Sequence, residues 1–389
     1  MLTIRGWALL GAGLAIILLW YTLGDPELLL AGVFMSVVSL VALLYVRYHR
    51  PRISVSRRLG STTVHNGDTT SVTLLVANRG DRPVRNVSLA DEVQGLGLAA
   101  FEIAGLMPGA SASATYRVTC RPRGVYEVGP ASATTTDPLG LAELPAQPGP
   151  VDRIVVYPTV EELTGFPLTR GQDPAINASR PEHSQRGGED FYTLREYQRG
   201  DDLRRIHWPS SAKTEELMIR QLETPWQSRA LVLLDVRQSV YESEDAFETA
   251  VSGAASVVTH LVRSGFDADL WAGDASIIDA TKYATAMERL ALVESDPLID
   301  ITAVASRIRQ TGGGGALVLV TGQADRDLLG VQQLLANQYR STILMGVATT
   351  TPQTLIGFQR MGATTVTVEP GEAWRNEWSM AMRAAWDVA

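Results

Sequence analysis

The sequence predicts three consecutive architectures: a two-helix transmembrane hairpin, an antiparallel β-sandwich and a doubly wound α/β domain. Two uncharged apolar runs, at residues 7–23 and 28–46, predict the first. Short alternating runs broken by turn residues predict the second, and continuous apolar runs separated by helical periodicity predict the third. With 389 residues, 45% of them hydrophobic and 20% charged, the chain can bury more than one core.

Each apolar run can cross a bilayer. At ~1.5 Å per residue the runs reach roughly 25–29 Å, near the ~30 Å hydrocarbon thickness, and a helix satisfies its own backbone there. The link Gly24-Asp25-Pro26-Glu27 permits only a tight reversal, so both ends of the pair are expected on one side. Trp7, Trp20 and Tyr21 sit near the ends of the first run, where amphipathic rings favour the interface. Arg47, Arg50, Arg52, Arg57 and Arg58 follow the second run with no acid among them, whereas the hairpin tip carries Asp25 and Glu27. Positive flanks stay inside, which predicts a multi-pass cell-membrane protein with both termini cytoplasmic. A cleaved signal peptide fits less well, because no small-residue cleavage site closes the first run and a second run follows at once. The lone Cys120 excludes an intrachain disulfide framework and suits a reducing compartment.

Residues 51–150 are expected to form the β-sandwich-like domain. Residues 71–76 and 115–119 alternate in polarity, and Asn78-Arg79-Gly80-Asp81, Met107-Pro108-Gly109 and Arg121-Pro122-Arg123-Gly124 supply turns. A proline-rich exit leads into a charged linker, residues 151–228, whose run 152–157 can still pair with the preceding sheet. Between residues 180 and 223 the linker carries 8 basic and 9 acidic side chains, so its charges are matched and expected to pair with each other.

The α/β domain, residues 229–389, opens on the apolar run 230–234, a strand of the kind buried in a parallel sheet with helices on both faces. Further strands are expected at 268–272, 316–320 and 342–347, and helices at 245–263, 284–293, 303–309 and 325–337. Trp374, Trp378, Met382 and Trp386 recur every four residues and predict one buried stripe on a last helix.

Within the linker, Tyr197, Gly200-Asp201, Arg204-Arg205-Ile206-His207-Trp208 and Ser211-Ala212 precede Arg220-Gln221. This run resembles the signature of the bacterial domain of unknown function 58 family. Arg123-Gly124-Val125-Tyr126 and Asp137-Pro138-Leu139-Gly140-Leu141 are similar to its upstream segment, so the resemblance covers nearly the whole chain. It implies a membrane-anchored protein with a cytoplasmic β domain and a von Willebrand factor A-like domain. It also implies a MoxR-type AAA+ ATPase as partner and a transglutaminase-like membrane protein as a further one; no biochemical activity comes with it.

The residues of the run suggest two roles, a structural clasp or a partner-docking surface. Asp201 can cap a short helix, Asp202 adds charge where the helix dipole favours it, and Arg204, Arg205 and Arg220 can fork onto carboxylates. His207, Trp208, Ser211 and Lys213 complete the candidate set.

Other chemistry finds little support. A net charge of −8 argues against nucleic acid as a partner. The von Willebrand-type cation motif Asp-x-Ser-x-Ser is degenerate here: Asp235 and Ser239 fit, but Arg237 takes a ligand position with a guanidinium that repels a cation, and Gly322 stands where an aspartate would serve. Arg237 is expected to pair with Asp235 or with acids of the linker. No cofactor is expected, and magnesium is disfavoured. Asp201, His207, Ser210 and Ser211 lack a nucleophile elbow, and His183 and His207 lack zinc spacing. The run 312–315 precedes a strand instead of joining a strand to a helix, so it reads as a flexible connection and not as a phosphate loop. The expected function is therefore a non-enzymatic membrane-anchored scaffold, with a divalent-cation-dependent ligand-binding module as the alternative.

Overall fold

A computed structural model describes residues 1–48, 52–146, 148–166, 191–197, 206–214, 216–222, 229–273, 276–311, 314–347 and 352–388. The chain divides into two compact units, one formed by Met1–Thr159 with Leu290–Leu292 and one formed by Val160–Arg289 with Val293–Ala389.

The first unit starts with α1 (Ile4–Leu23) and α2 (Pro26–Tyr48). Gly24 ends α1 in the left-handed conformation at φ 73°, and Pro26 starts α2 where a missing N–H costs nothing. Both helices are long and apolar enough to cross a membrane. They meet through small residues: a Cβ on Gly13 would lie 2.9 Å from the Gly32 carbonyl oxygen, and one on Gly32 would lie 2.8 Å from that of Gly13. Small side chains let two backbones approach where lipid supplies no hydrophobic drive between helices. The large apolar side chains point outward instead, among them Leu18, Leu30 and Phe34.

Ten strands follow: β1 (Ile53–Leu59), β2 (Thr63–His65), β3 (Thr69–Asn78), β4 (Val84–Val93), β5 (Gly97–Leu106), β6 (Ser111–Thr119), β7 (Gly124–Val128), β8 (Ser132–Thr136), β9 (Glu143–Pro145) and β10 (Asp152–Tyr157). One sheet has the order β1-β3-β6; the other runs β2-β10-β7-β4-β8-β9, with β5 on β4. Alternation along β3 turns Val72, Leu74 and Val76 inward, and Val76 shares a core with Val87 and Leu89 of β4. β10 pairs with β7 and β2, so residues 152–157 join the preceding sheet as the sequence allows, and the first unit takes in residues to Thr159.

A segment between β8 and β9 anchors the hairpin. The buried Asp137 carboxylate accepts from the N–H groups of Leu139, at 2.9 Å, and Ala142, at 2.6 Å, closing a tight loop. That loop takes Thr3 Oγ1 on the Gly140 carbonyl at 2.7 Å and the Thr3 N–H on the Leu141 carbonyl at 3.0 Å. Only glycine fits at position 6, where a Cβ would lie 2.0 Å from the Leu141 oxygen.

Arg57 corrects one expectation. The sequence places it in the basic flank of the hairpin, whereas its side chain is fully buried between the two sheets. Its guanidinium forks onto Asp91 of β4, with Nε donating at 3.0 Å, and donates to Asp152 at 2.9 Å and to the carbonyls of Val128 and Pro150. Tyr116 Oη donates to the same Asp91 at 2.7 Å. Burial works against the Arg57 charge, yet the bonds and charges of Asp91 and Asp152 outweigh it and raise the pKa.

The second unit opens with a strap. Leu163 is buried, and the Glu161 carboxylate accepts from the N–H groups of Trp374 and Arg375 at 3.1 and 3.0 Å. It thereby caps α9 (Trp374–Val388) from far away in sequence, with negative charge at the positive end of the helix. The hairpin of β11 (Phe191–Glu196) and β12 (Met218–Leu222) flanks α3 (Trp208–Thr214).

The main sheet comprises β13 (Arg229–Leu234), β14 (Asp267–Ala272), β15 (Ile278–Asp279), β16 (Ala316–Thr321), β17 (Ser341–Val347) and β18 (Ala363–Val368). Its order is β15-β14-β13-β16-β17-β18, parallel except for β15. The helices are α4 (Glu244–Arg263), α5 (Tyr283–Leu292), α6 (Ile301–Thr311), α7 (Arg326–Leu335), α8 (Pro352–Arg360) and α9. Of the expected stripe, Trp374, Trp378 and Met382 are buried and the Trp386 side chain lies outside what the structure describes; Gly253 of α4 admits the Trp374 ring, which would lie 2.8 Å from a Cβ there. Gly315 is a packing residue and not a slack connection, since its Cβ would lie 1.8 Å from the Arg229 oxygen; residues 312 and 313 lie outside the described residues.

Replacing Arg57 by Met strands the buried Asp91 carboxylate. Hydrogen exchange along β1 and β4 of the detergent-solubilised chain should show a loss of about 3–5 kcal/mol in opening free energy, and Arg57→Met/Asp91→Leu should recover much of it.

Candidate functional site

Numbering the main-sheet strands in chain order gives 3-2-1-4-5-6, so the order reverses between β13 and β16. In open α/β sheets this reversal opens a crevice at the carboxyl ends of the strands, where ligands bind. Here the crevice holds Asp235 after β13, Thr321 at the end of β16, and Asp325 before α7.

Arg237 fills the space between these groups. Nε donates to Asp235 Oδ1 at 3.0 Å and Nη2 to Oδ2 at 2.7 Å, a two-pronged pair on one edge of the guanidinium. On the other edge, Nη1 donates to Asp325 Oδ2 at 2.8 Å and Nη2 to Oδ1 at 3.1 Å. Asp327 Oδ2 stands 3.5 Å from Nη1. Asp235 also accepts from Thr321 Oγ1 at 3.1 Å and from the Arg237 N–H at 3.1 Å. The planar fork of arginine matches carboxylate geometry, which a point charge could not do twice.

Local structure explains how the sequence delivers this arrangement. Asp325 is the N-cap of α7, accepting from the Leu328 N–H at 2.9 Å, so one carboxylate both starts a helix and holds Arg237. The 3₁₀ turn Gln238–Val240 follows Arg237 and packs on Gly322, where a Cβ would lie 2.1 Å from the Val240 oxygen. No aspartate can occupy that position. Tyr241 Oη donates to the Asp235 carbonyl, closing the loop on itself.

The electrostatics agree with the geometry. Burial disfavours the Arg237 charge, but hydrogen bonds to Asp235 and Asp325 and their charges prevail and raise its pKa. Burial alone would raise Asp325, yet the Arg237 guanidinium and the Leu328 N–H hold it below the usual carboxylate range. Burial, with the Asp235 charge, pushes the Tyr241 phenol well above its ordinary value.

The cation motif does not assemble. Ser239 is exposed on the 3₁₀ turn and makes no hydrogen bond to Asp235 among the described residues. A guanidinium stands between Asp235 and Asp325, so the residues present do not fit a divalent ion there. Among the described residues no three His, Cys, Asp or Glu side chains converge as a ligand set.

The signature run forms a separate local structure. Asp201, Asp202, Arg204 and Arg205 lie outside the described residues, and Arg220 is placed in β12 by its backbone only. His207 precedes α3, and its Nδ1 lies 3.3 Å from the Ser210 backbone nitrogen and 2.8 Å from Ser210 Oγ, which caps the first turn of that helix. The His207 N–H donates to the Met218 carbonyl at 2.8 Å, and the buried Ser211 hydroxyl accepts from the Met218 N–H at 2.8 Å. These bonds clasp α3 to β12. Trp208 and Lys213 are exposed, Trp208 by 66%.

Residues 193–297 match the family described as Protein of unknown function DUF58. The matched segment contains α3, β12, β13, Asp235 and Arg237. The uncharacterized protein YeaD of Bacillus subtilis (strain 168) is 29% identical over 238 residues, 59% of this chain and 58% of the relative. The chain thus matches less than two thirds of that relative's length. Among solved structures, the CARDB domain of a Pyrococcus furiosus protein in complex with di-metal ions is 19% identical over 27% of this chain and 93% of that one, with a TM-score of 0.22. A β-glucosidase from Erythrobacter marinus is 13% identical over 26% of this chain and 16% of that one, with a TM-score of 0.18.

Sequence reasoning paired Arg237 with Asp235 but missed Asp325, whose only sequence signal is the helix-capping run Asp325-Arg326-Asp327. Arg237→Ala leaves Asp235 buried without a counter-ion and should lower the opening free energy of β13 and β16 by about 3–5 kcal/mol in hydrogen exchange. Arg237→Lys should rescue only part of it. Asp325 titrates low when folded, so its stabilisation is present above the ordinary carboxylate value near pH 4 and is lost as pH falls through the lower folded value. Acid unfolding of Arg237→Ala should show a smaller component of this kind, because only the Leu328 N–H then holds Asp325 low.

Proposed function

We propose that this chain is a non-enzymatic, membrane-anchored scaffold whose α/β unit engages other proteins. The observation that carries the reading is Arg237, which seals the one crevice where a fold of this topology would place a ligand. With the carboxylates satisfied internally, interaction falls to exposed surface, and Trp208 in the matched segment offers a large amphipathic anchor of the kind that dominates protein interfaces. The strand order 3-2-1-4-5-6 with an antiparallel third strand supports a von Willebrand factor A-like assignment for this unit, and the two facing sheets of the first unit support a β-sandwich.

The hairpin supplies the anchor. Arg47 in the last turn of α2 and Arg52 just before β1, opposite Asp25 and Glu27 at the tip, support a cytoplasmic bulk with both termini inside. The partner we propose is an AAA+ ATPase of the MoxR type, with a membrane or envelope client that the same platform holds near it. This part rests on the resemblance of the signature run.

The test is binding of the purified full chain in detergent to a co-encoded MoxR-type ATPase, read by light scattering and by ATP turnover. Wild type should form a complex, and Trp208→Ala or Arg204→Glu/Arg205→Glu should weaken it about tenfold or more. Absence of any complex removes the partner; equal binding by all three removes the signature run as the dock.

A further inference from the structure

A second feature of the first unit lies where α2 leaves the apolar stretch. An open cavity of about 650 Å³ separates the last turn of α2 from the β3–β4 connection. Tyr45 and Tyr48 line it from the helix, and Arg52, Arg79, Arg82 and Arg85 line it from the sheet side. All four arginines are exposed, and among the described residues none of them forms an ion pair with a carboxylate. Asp81 is the single acid on the cavity wall. A chain of net charge −8 thus gathers four positive charges against one negative at this spot.

The arginines are held in place by their backbone. Asn78 is completely buried, and its Nδ2 donates to the carbonyls of Arg82 and Leu106 at 2.8 and 3.1 Å, while its Oδ1 accepts from the Gly80 N–H at 2.9 Å. The Arg79 N–H donates to the Arg52 carbonyl at 2.7 Å, which sets those two residues side by side. Arg85 sits within β4, and the Arg82 guanidinium lies over the Tyr48 ring, 5.9 Å from its centroid. The buried amide thus fixes the backbone of an exposed turn that carries Arg79 and Arg82 towards the cavity.

We infer that this recess binds the anionic headgroup of a phospholipid, its phosphodiester held by the arginine cluster. Three features choose lipid over a free anion. The cavity adjoins the end of a helix able to cross a membrane, at the depth where tyrosine rings favour the interface. Arginine forks match phosphate oxygens, and basic recesses beside spanning helices recognise lipid headgroups. The volume also exceeds what a bare phosphate needs, as a headgroup with its glycerol requires. The inference rests on the reading of α1 and α2 as a membrane hairpin.

The experiment uses the full chain in neutral detergent, offered equal amounts of phosphatidylglycerol and phosphatidylcholine, with native mass spectrometry counting what is retained. Wild type should retain phosphatidylglycerol, and Arg79→Gln/Arg82→Gln should reduce that occupancy about tenfold. Excess inorganic phosphate should not displace the lipid. Equal retention of the two lipids, or unchanged retention by the variant, overturns the inference; displacement by phosphate reassigns the recess to a free anion and overturns it equally. Arg85→Gln, at a position outside the Asn78 turn, provides a second reading should the double variant unfold. Carbonate extraction of the same proteins from membranes tests the hairpin independently: release into the supernatant would refute the anchor, whatever the detergent experiment shows about lipid choice.

Discussion

A guanidinium held between two carboxylates organises the end of the α/β unit where the strand order reverses. Arg237 meets Asp235 on one edge and Asp325 on the other, and those acids come from opposite sides of the point where the strand order reverses. An arginine cannot shed its charge at this burial, so the surrounding chain must bring anions to it. That requirement sets the path of the loop after β13 and the start of α7, and it closes the crevice. A hydrophobic replacement of the whole cluster could be equally stable; what the ion pairs add is one specific geometry, because any other placement strands a charge.

The first unit uses the same device for a different purpose. Arg57, Asp91 and Tyr116 join the two sheets through their interior, and Asp152 and two backbone carbonyls complete the shell of acceptors. Around it the apolar alternation of β3 and β4 supplies the hydrophobic contacts, which are non-directional and leave the relative register of the sheets open. The polar crosslink removes that freedom. The hairpin is tied in by the Asp137 loop, which turns a family-like sequence run into a socket for the start of α1.

Much of the architecture is legible in the residue pattern. The apolar runs emerge as α1 and α2 with ends shifted by a few residues, since capping by Thr3 and Pro26, and not hydropathy, sets where a helix begins. The buried strands β13, β16 and β17 are plain because a parallel sheet covered on both faces demands continuous apolar residues. Several elements escape the pattern, β11, β15, β18 and α8 among them. The half-polar β18 alternates like an exposed strand at the sheet's edge, and α8 is only nine residues long, too short for periodicity to emerge. The strap at Glu161 is invisible because a carboxylate capping a helix more than two hundred residues away leaves no local trace.

The candidate sites divide along the same line. Residue type alone showed that Arg237 spoils a cation site, since a donor-only group cannot ligate a metal, and it showed that two apolar spans precede the folded part. Folding decided which acids meet Arg237, that Ser239 stays away from them, that Arg57 belongs to the interior and not to the basic flank, and that Arg52, Arg79, Arg82 and Arg85 converge on one cavity. Local preferences depend on near neighbours and can be read in order along the chain. The pairing of charges depends on distances between residues far apart in sequence, and those distances exist only once the strands have found their partners.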